Sequence, residues 1–227
     1  MASIHRWMSQ LPAKDFEQMI PAQEALQRLR EGNRHFVIGE LSHDTLASPA
    51  RRNELVSNQK PFAIILGCAD SRAPAELVFD QGLGDLFVIR VAGNIVAPSQ
   101  VGSVEFAAER SKIRLVVVMG HSNCGAVTAT VEELQRPSAS RSPNLRAIVD
   151  RIQPSVEELL KEGASIHAED LIPKAIRANI RASVDHLRSG SQLLEQLIKN
   201  DGLLIVGAEY SLETGVVDFF YEPTRPD

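Results

Sequence analysis

Two cysteines and one histidine occupy positions from which they could share a metal ion. The chain has two cysteines, Cys68 in the segment GCADSR and Cys124 in the segment GHSNCG, and His121 opens the second motif. Thiolate and imidazole groups are a ligand set that suits Zn²⁺, and three protein ligands leave a fourth tetrahedral position open, as in catalytic zinc sites. Two other interpretations remain: the cysteines could be ordinary buried side chains, or they could form a disulfide. The coincidence of all three residues in two short motifs favours the metal site.

An acidic and a basic side chain lie beside the first cysteine. Asp70 and Arg72 belong to the same segment as Cys68. They could form a surface ion pair worth about 0–1 kcal/mol. Alternatively, Arg72 could hold the Asp70 carboxylate near the metal, where the carboxylate would accept a hydrogen bond from metal-bound water. Released from Arg72, the same carboxylate could become the fourth ligand and close the site.

Short apolar runs predict the strands of a mainly parallel sheet. Each run is continuous, which is typical of a strand buried on both faces. Helical segments alternate with these runs, and this alternation favours right-handed crossovers and parallel strands. The last run follows its predecessor closely and predicts a hairpin-like edge strand. The runs are residues 61–67, 86–91, 115–120, 203–207 and 216–220, and the first two helical segments after the second run are residues 101–110 and 125–135.

The predicted strands place both motifs at one edge of the sheet. Cys68 follows the first run and the segment from His121 to Cys124 follows the third. Ligand sites in open parallel sheets form beyond the carboxyl ends of the strands. If these two strands are neighbours, we expect the two thiols and the imidazole to converge.

The remaining segments are predicted to be helical decoration of one α/β domain, residues 61–227. Residues 1–60 form a polar, mostly helical arm without a core of its own, which must pack on the main domain or on a partner subunit. Within this arm, residues 40–60 are expected to form a loop with one short helical turn. Further along the chain, Pro154 is expected to kink or restart a helix and Pro173 to open the next one.

Composition excludes several classes of protein. The chain has 227 residues with 44% hydrophobic and 23% charged residues, so it can bury a sizeable core and is not expected to be disordered. Its net charge of −5 gives no global attraction for nucleic acid or anionic membranes. No apolar run approaches the roughly 18 residues of a membrane span, and the N-terminus lacks a secretory pattern. We therefore expect a cytoplasmic protein that binds neither membrane nor nucleic acid.

Three segments resemble the β-class carbonic anhydrases: GCADSR, QGLGDLFVIRVAGN and GHSNCGAV. The resemblance is close over residues 59–127. It implies a parallel sheet with a fifth, antiparallel strand, and N-terminal helices that wrap a partner in a homodimer or tetramer. It also implies reversible hydration of CO₂ to bicarbonate and a proton by zinc-bound hydroxide. Carried over by position, Cys68, His121 and Cys124 resemble the zinc ligands, and Asp70 with Arg72 the catalytic dyad.

The resemblance extends to the substrate pocket. Gln59 matches a glutamine that reaches substrate across the dimer interface, Phe87 matches an aromatic pocket residue, and Phe106 stands where many members have tyrosine. The segment Arg90-Val91-Ala92-Gly93-Asn94 departs from the usual Arg-Asn-Val-Ala-Asn at a pocket edge.

Some bacterial members of the family bind inhibitory bicarbonate at a second site through tryptophan, arginine and tyrosine. Arg90 and Tyr210 match the last two, but Ile65 replaces the tryptophan, so this inhibition is not expected here. Two alternative functions stay open from the sequence. One is hydrolysis of CS₂ or COS on the same scaffold, and the other is a non-enzymatic structural zinc or thiol-switch module.

Overall fold

A five-stranded sheet forms the centre of the molecule. The computed structural model describes residues 19–42, 47–136, 142–162 and 168–223. The sheet order is β2-β1-β3-β4-β5, with β1 next to β3. Strands β1 to β4 are parallel and β5 pairs antiparallel with β4, as predicted. The strands are β1 (Ala63–Gly67), β2 (Leu86–Arg90), β3 (Leu115–His121), β4 (Leu204–Tyr210) and β5 (Val217–Tyr221).

The central strands form because their side chains are apolar on both faces. Every residue of β1 and β3 is buried, and the two strands pair in register from Ile64 with Val116 to Gly67 with Met119. This register brings the carboxyl ends of β1 and β3 to the same edge of the sheet. The first residues after both strands therefore start from neighbouring points.

Helices cover both faces of the sheet. One face is packed by α4 to α8 and the other by α1 and α3. A short 3₁₀ turn, Ala92–Asn94, follows β2. The helices are α1 (Ala22–Ile38), α2 (Pro49–Leu55), α3 (Ala75–Val78), α4 (Pro98–Arg110), α5 (Gly125–Gln135), α6 (Pro143–Glu162), α7 (Ala168–Ser189) and α8 (Gln192–Asn200).

Two prolines lie inside helices, which corrects the predictions made for them. Helix α6 runs from Pro143 to Glu162 with Pro154 inside it, so no second helix starts there. Proline has no N–H to donate to the carbonyl oxygen of Asp150. Pro154 and Asp150 are both exposed, so this carbonyl faces water, while buried Ile152 packs the opposite side of the helix. Helix α7 begins at Ala168, five residues before Pro173, and its acidic first turn favours the earlier start.

Helix α1 packs on this chain's own sheet. Ala25, Leu26 and Leu29 are at most 3% exposed and belong to the same apolar cluster as residues of β1, β3 and β4. The approach to α3 is very close, because a Cβ on Gly32 would lie 1.8 Å from the carbonyl oxygen of Phe79. Part of the predicted arm is therefore continuous with the core. Packing of residues 1–60 on a partner subunit stays a prediction, and residues 1–18 lie outside the described residues.

One buried amide joins α1 to the hairpin between β4 and β5. Asn33 donates from Nδ2 to the carbonyl oxygens of Val78, at 3.1 Å, and Gly215, at 2.9 Å. Its Oδ1 accepts the N–H of Val217 at 2.9 Å. Helix α1, which covers one face of the sheet, thus holds the hairpin that follows β4.

Among the helices in the described ranges, none combines the length and apolar character that a membrane crossing requires.

Candidate active site

Two thiols and one imidazole meet beyond the carboxyl ends of β1 and β3. Cys68 is the first residue after β1, His121 is the last residue of β3, and Cys124 immediately precedes α5. The three candidate ligand atoms lie within 4.8 Å of one another, and all three residues are buried. The predicted convergence is confirmed, and both cysteines are free thiols rather than a disulfide.

The His121 ring has one nitrogen bonded and the other available. Its Nδ1 lies 2.8 Å from the carbonyl oxygen of Ser122, so Nδ1 carries the proton and donates. Its Nε2 is buried and has no hydrogen-bond partner within the described part of the chain. Burying a nitrogen lone pair is costly unless the lone pair accepts a hydrogen bond or binds a metal ion.

The two thiols have unlike pKa values because they are hydrogen-bonded to each other. The Cys124 thiol donates to the Cys68 sulfur and lowers the pKa of Cys68, although burial acts against this shift. The same hydrogen bond, together with burial, raises the pKa of Cys124. The backbone N–H of Gly93 also donates to Cys68 Sγ, at 3.3 Å. A bound cation would stabilise both sulfurs as thiolates.

The donor set fits a tetrahedral metal ion with one open position. It comprises two sulfurs and an imidazole nitrogen, and within the described residues no further cysteine or histidine joins them as a fourth ligand. The unpartnered His121 Nε2 is the observation that a metal ion would explain. Such a set is typical of catalytic rather than structural zinc sites.

Asp70 lies beside this group and is held by Arg72. The carboxylate accepts Arg72 Nε at 2.9 Å on Oδ1 and Arg72 Nη2 at 2.8 Å on Oδ2. The backbone N–H of Arg72 adds a third hydrogen bond to Oδ1, at 2.9 Å. These bonds hold the pKa of Asp70 well below its usual range, chiefly through the Arg72 side chain. Asp70 Oδ2 lies 3.9 Å from His121 Nε2, so an ionised carboxylate faces the candidate metal position.

Arg90 supports the backbone of the Cys68 loop, a role that the sequence analysis missed. Its guanidinium donates from Nε to the carbonyl oxygen of Cys68 at 3.0 Å and from Nη2 to that of Asp70. In the sequence, Arg90 matches only the arginine of an inhibitory bicarbonate site. The other two residues at positions matched to that second site lie in the core: Ile65 is fully buried, and Tyr210 is 5% exposed with its ring packed near Phe36.

The 3₁₀ turn after β2 is anchored by α7, which the sequence analysis also missed. Asn179 donates to the carbonyl oxygen of Gly93 at 2.8 Å, and Ser183 donates to that of Asn94 at 3.1 Å. Both side chains are buried. Since Gly93 contacts the Cys68 sulfur, α7 positions a metal-ligand neighbour from the helical layer. The only signal in the sequence is a polar residue on the buried face of an amphipathic helix.

The predicted substrate residues occupy different places. The rings of Phe87 and Phe106 are 6.4 Å apart, and Phe106 is 44% exposed. Gln59 is exposed and precedes β1, at the opposite end of that strand from Cys68. Within one chain, the structure therefore brings Phe87 and Phe106 together and does not bring Gln59 to the metal ligands.

Known proteins are similar to this chain in sequence and in fold. The sequence profile of the family described as carbonic anhydrase matches residues 63–217. Carbonic anhydrase 2 of Mycobacterium tuberculosis is 37% identical over 191 residues, covering 84% of this chain and 89% of the relative. A carbonic anhydrase of Mycolicibacterium smegmatis is 37% identical over 194 residues, covering 86% and 91%. A structure of tetrameric β-carbonic anhydrases from Sordaria macrospora aligns with a TM-score of 0.68 at 22% identity, over 84% of this chain and 93% of that one. The chain belongs to the carbonic anhydrase family and has the fold of its β class.

Proposed function

We propose that this chain is a zinc-dependent carbonic anhydrase that catalyses the reversible hydration of CO₂ to bicarbonate and a proton. The observation that carries the proposal is the group of Cys68, His121 and Cys124, within 4.8 Å, beside the Arg72-held carboxylate of Asp70. Relatives named carbonic anhydrase, at 37% identity over most of their length, support the same activity.

Cys68, His121 and Cys124 would hold the zinc ion. When bound, zinc acts as a Lewis acid that lowers the pKa of water and makes a nucleophile available near neutral pH. Ser122 keeps the His121 proton on Nδ1 and leaves Nε2 free to bind. The Gly93 N–H stabilises negative charge on the Cys68 sulfur.

Asp70 and Arg72 orient the reacting hydroxyl group. An ionised carboxylate is a hydrogen-bond acceptor only, so Asp70 can accept a hydrogen bond from the reacting hydroxyl group. This hydrogen bond would direct a lone pair of the hydroxyl oxygen toward CO₂. Two side-chain hydrogen bonds and one backbone hydrogen bond hold the carboxylate in this orientation. If Arg72 releases it, Asp70 becomes the candidate fourth ligand of a closed site, because its Oδ2 is already 3.9 Å from His121 Nε2.

The substrate pocket is proposed to be completed by a second copy of the chain. Phe87 and Phe106 would form its apolar wall, and Phe106 is still 44% exposed in the single chain. Gln59 cannot reach the metal ligands of its own chain from the far end of β1, so it would serve the site of a partner. A homodimer or tetramer satisfies this requirement, and the similar Sordaria macrospora proteins are tetrameric. We also place the protein in the cytoplasm.

A stopped-flow assay of CO₂ hydration, on protein of measured zinc content, tests the proposal. Wild-type protein should carry one zinc ion per chain and hydrate CO₂. The Cys68→Ser variant should lose zinc and activity together, because a serine hydroxyl is a poor ligand beside the remaining thiolate and imidazole. His186→Ala, which changes an exposed histidine on α7, is the matched control and should keep both. An active Cys68→Ser variant without zinc would refute the assignment.

The same preparations separate the alternative functions. A CS₂ or COS hydrolase would turn over those substrates in preference to CO₂ in parallel assays. A structural zinc or thiol-switch module would show no turnover and reversible pairing of Cys68 with Cys124. Such a module leaves the Asp70–Arg72 pair without a role.

A further inference from the structure

The hairpin between β4 and β5 contacts the loop that joins two candidate metal ligands. Residues 211–216 form the hairpin, and Ser122 with Asn123 form the loop between His121 and Cys124. The Ser122 N–H donates to the carbonyl oxygen of Tyr210 at 2.9 Å. Ser122 Oγ accepts the N–H of Leu212, also at 2.9 Å. The ligand loop is thus attached to the end of β4 through one residue, Ser122.

Glu213, at the tip of the hairpin, adds side-chain hydrogen bonds to both loop residues. Its Oε2 accepts Ser122 Oγ at 2.8 Å and its Oε1 accepts Asn123 Nδ2 at 2.8 Å. Ser211 Oγ also donates to Oε2, at 3.1 Å. The pKa of Glu213 is lowered, chiefly by the hydrogen bond from Ser122. The carboxylate is therefore ionised at neutral pH and can accept all three bonds.

The loop needs such a restraint because its backbone is unusual. Asn123 has a φ of 55°, in the left-handed region that asparagine visits more easily than most other residues. The adjacent Ser122 presents its carbonyl oxygen to His121 Nδ1 at 2.8 Å. A rotation of the Ser122–Asn123 backbone would move this carbonyl and, with it, the imidazole ring.

We propose that Glu213 is a positioning residue for the metal site: by binding Ser122 and Asn123, it fixes the carbonyl that orients His121 Nε2. The inference rests on the proposed function, since it concerns retention of the zinc ion. Glu213 is exposed, so its charge is screened by solvent and its effect comes from the geometry of its hydrogen bonds. Groups that hydrogen-bond a metal ligand directly change metal affinity by about 10–100-fold when removed, and Glu213 acts through one further residue, so we expect an effect at the lower end of that range.

Three hairpin variants separate this role from a general effect on the turn. Glu213→Ala removes every acceptor. Glu213→Gln keeps an oxygen for Ser122, and its amide can donate to Asn123 once the asparagine amide rotates. Thr214→Ala is the matched control, because Thr214 Oγ1 accepts the N–H of Val216 at 3.3 Å within the same hairpin and does not bond the ligand loop.

The measurements are the rate of zinc loss to excess chelator and the absorption spectrum of the cobalt-substituted protein, which reports ligand geometry. Glu213→Ala should lose zinc about tenfold faster than wild type and show shifted cobalt bands. Glu213→Gln should stay within about threefold of wild type, and Thr214→Ala should match it. An unchanged rate or an unchanged cobalt spectrum in Glu213→Ala overturns the proposal, as does equal acceleration in Thr214→Ala. Wild-type protein that binds no zinc would overturn the proposed function as well, which distinguishes the two failures.

Discussion

Replacing Asn179 by alanine should weaken both the fold and the metal site. Asn179 is 2% exposed, and its side chain donates to the carbonyl oxygen of Gly93 at 2.8 Å. The N–H of the same glycine donates to Cys68 Sγ. The Asn179→Ala variant therefore leaves a buried carbonyl without its donor, and the peptide unit after Gly93 is then held only by the hydrogen bond from the Asn94 N–H to the carbonyl oxygen of Val91.

The expected magnitude follows from these contacts. An unsatisfied buried carbonyl costs about 1–3 kcal/mol. The small cavity left by the amide adds about 1 kcal/mol, which gives a loss of about 2–4 kcal/mol in the free energy of unfolding. Natural domains have about 5–15 kcal/mol available, so the variant should still fold. For a chain of this length, the loss corresponds to a decrease in Tm of about 4–16 °C.

The functional consequence should be measurable separately. Without a fixed Gly93 N–H, the Cys68 thiolate loses one stabilising hydrogen bond, and zinc affinity should fall by about tenfold. Chelator competition measures the affinity, and thermal unfolding measures the stability. Ser183→Ala is the matched control, because it removes the neighbouring bond to the Asn94 carbonyl, at 3.1 Å, without touching Gly93. It should lower Tm by less and leave zinc affinity within about threefold of wild type.

Two results would refute this reasoning. If Asn179→Ala lowered Tm but bound zinc as tightly as wild type, the Gly93 N–H would not depend on α7. If both variants weakened zinc binding equally, the effect would be a general loosening of the 3₁₀ turn rather than a specific action on Cys68.

Three further variants, at Arg72 and Arg90, test the groups around Asp70. Arg72→Ala should retain zinc but lower turnover at neutral pH, because nothing then holds the carboxylate away from the ligands; unchanged turnover in stopped flow would remove Arg72 from the mechanism. Arg72 depresses the pKa of Asp70, so the pair stabilises the fold above the ordinary carboxyl pKa of about 4 and loses this effect as pH falls through the lowered value. Arg72→Ala should therefore move the midpoint of acid unfolding, followed by circular dichroism, to higher pH. Arg90→Ala should lower turnover by about tenfold, because the carbonyl oxygens of Cys68 and Asp70 lose their donor. Arg90→Lys should retain part of the wild-type turnover. Equal turnover in both variants and wild type would contradict this role of Arg90.

The meeting of the candidate ligands was predictable because it depends on strand ends alone. Cys68 and His121 stand at the ends of continuous apolar runs, and parallel strands bring such ends to one edge. The adjacency of Asp70 and Arg72 was likewise a local property, since both belong to one turn. The antiparallel edge strand followed from the short connection after β4.

The supports of the site were not predictable in the same way. Glu213 lies 91 residues from Ser122, and the distance between them is determined by the packing of the hairpin, which has no periodic signal. Asn179 lies on α7, and the hydrophobic pattern of that helix predicts its apolar face but not the partner of a polar residue within it. The placement of Pro154 depended on which side of α6 faces water, and the packing of α1 depended on the close approach at Gly32. These properties arise from three-dimensional contacts between distant segments.

The three hydrogen bonds of Asn33 have a consequence for where the folding unit begins. A chain cut to start at residue 61 would expose the carbonyl oxygens of Val78 and Gly215 and the N–H of Val217, which now share one buried amide. It would also uncover the sheet face beneath Leu26 and Leu29. The smallest autonomous piece of this protein therefore includes α1, although the family profile matches only from residue 63. The family profile and the independently folding unit therefore begin at different residues, because folding also depends on the hydrogen bonds and burial that α1 supplies.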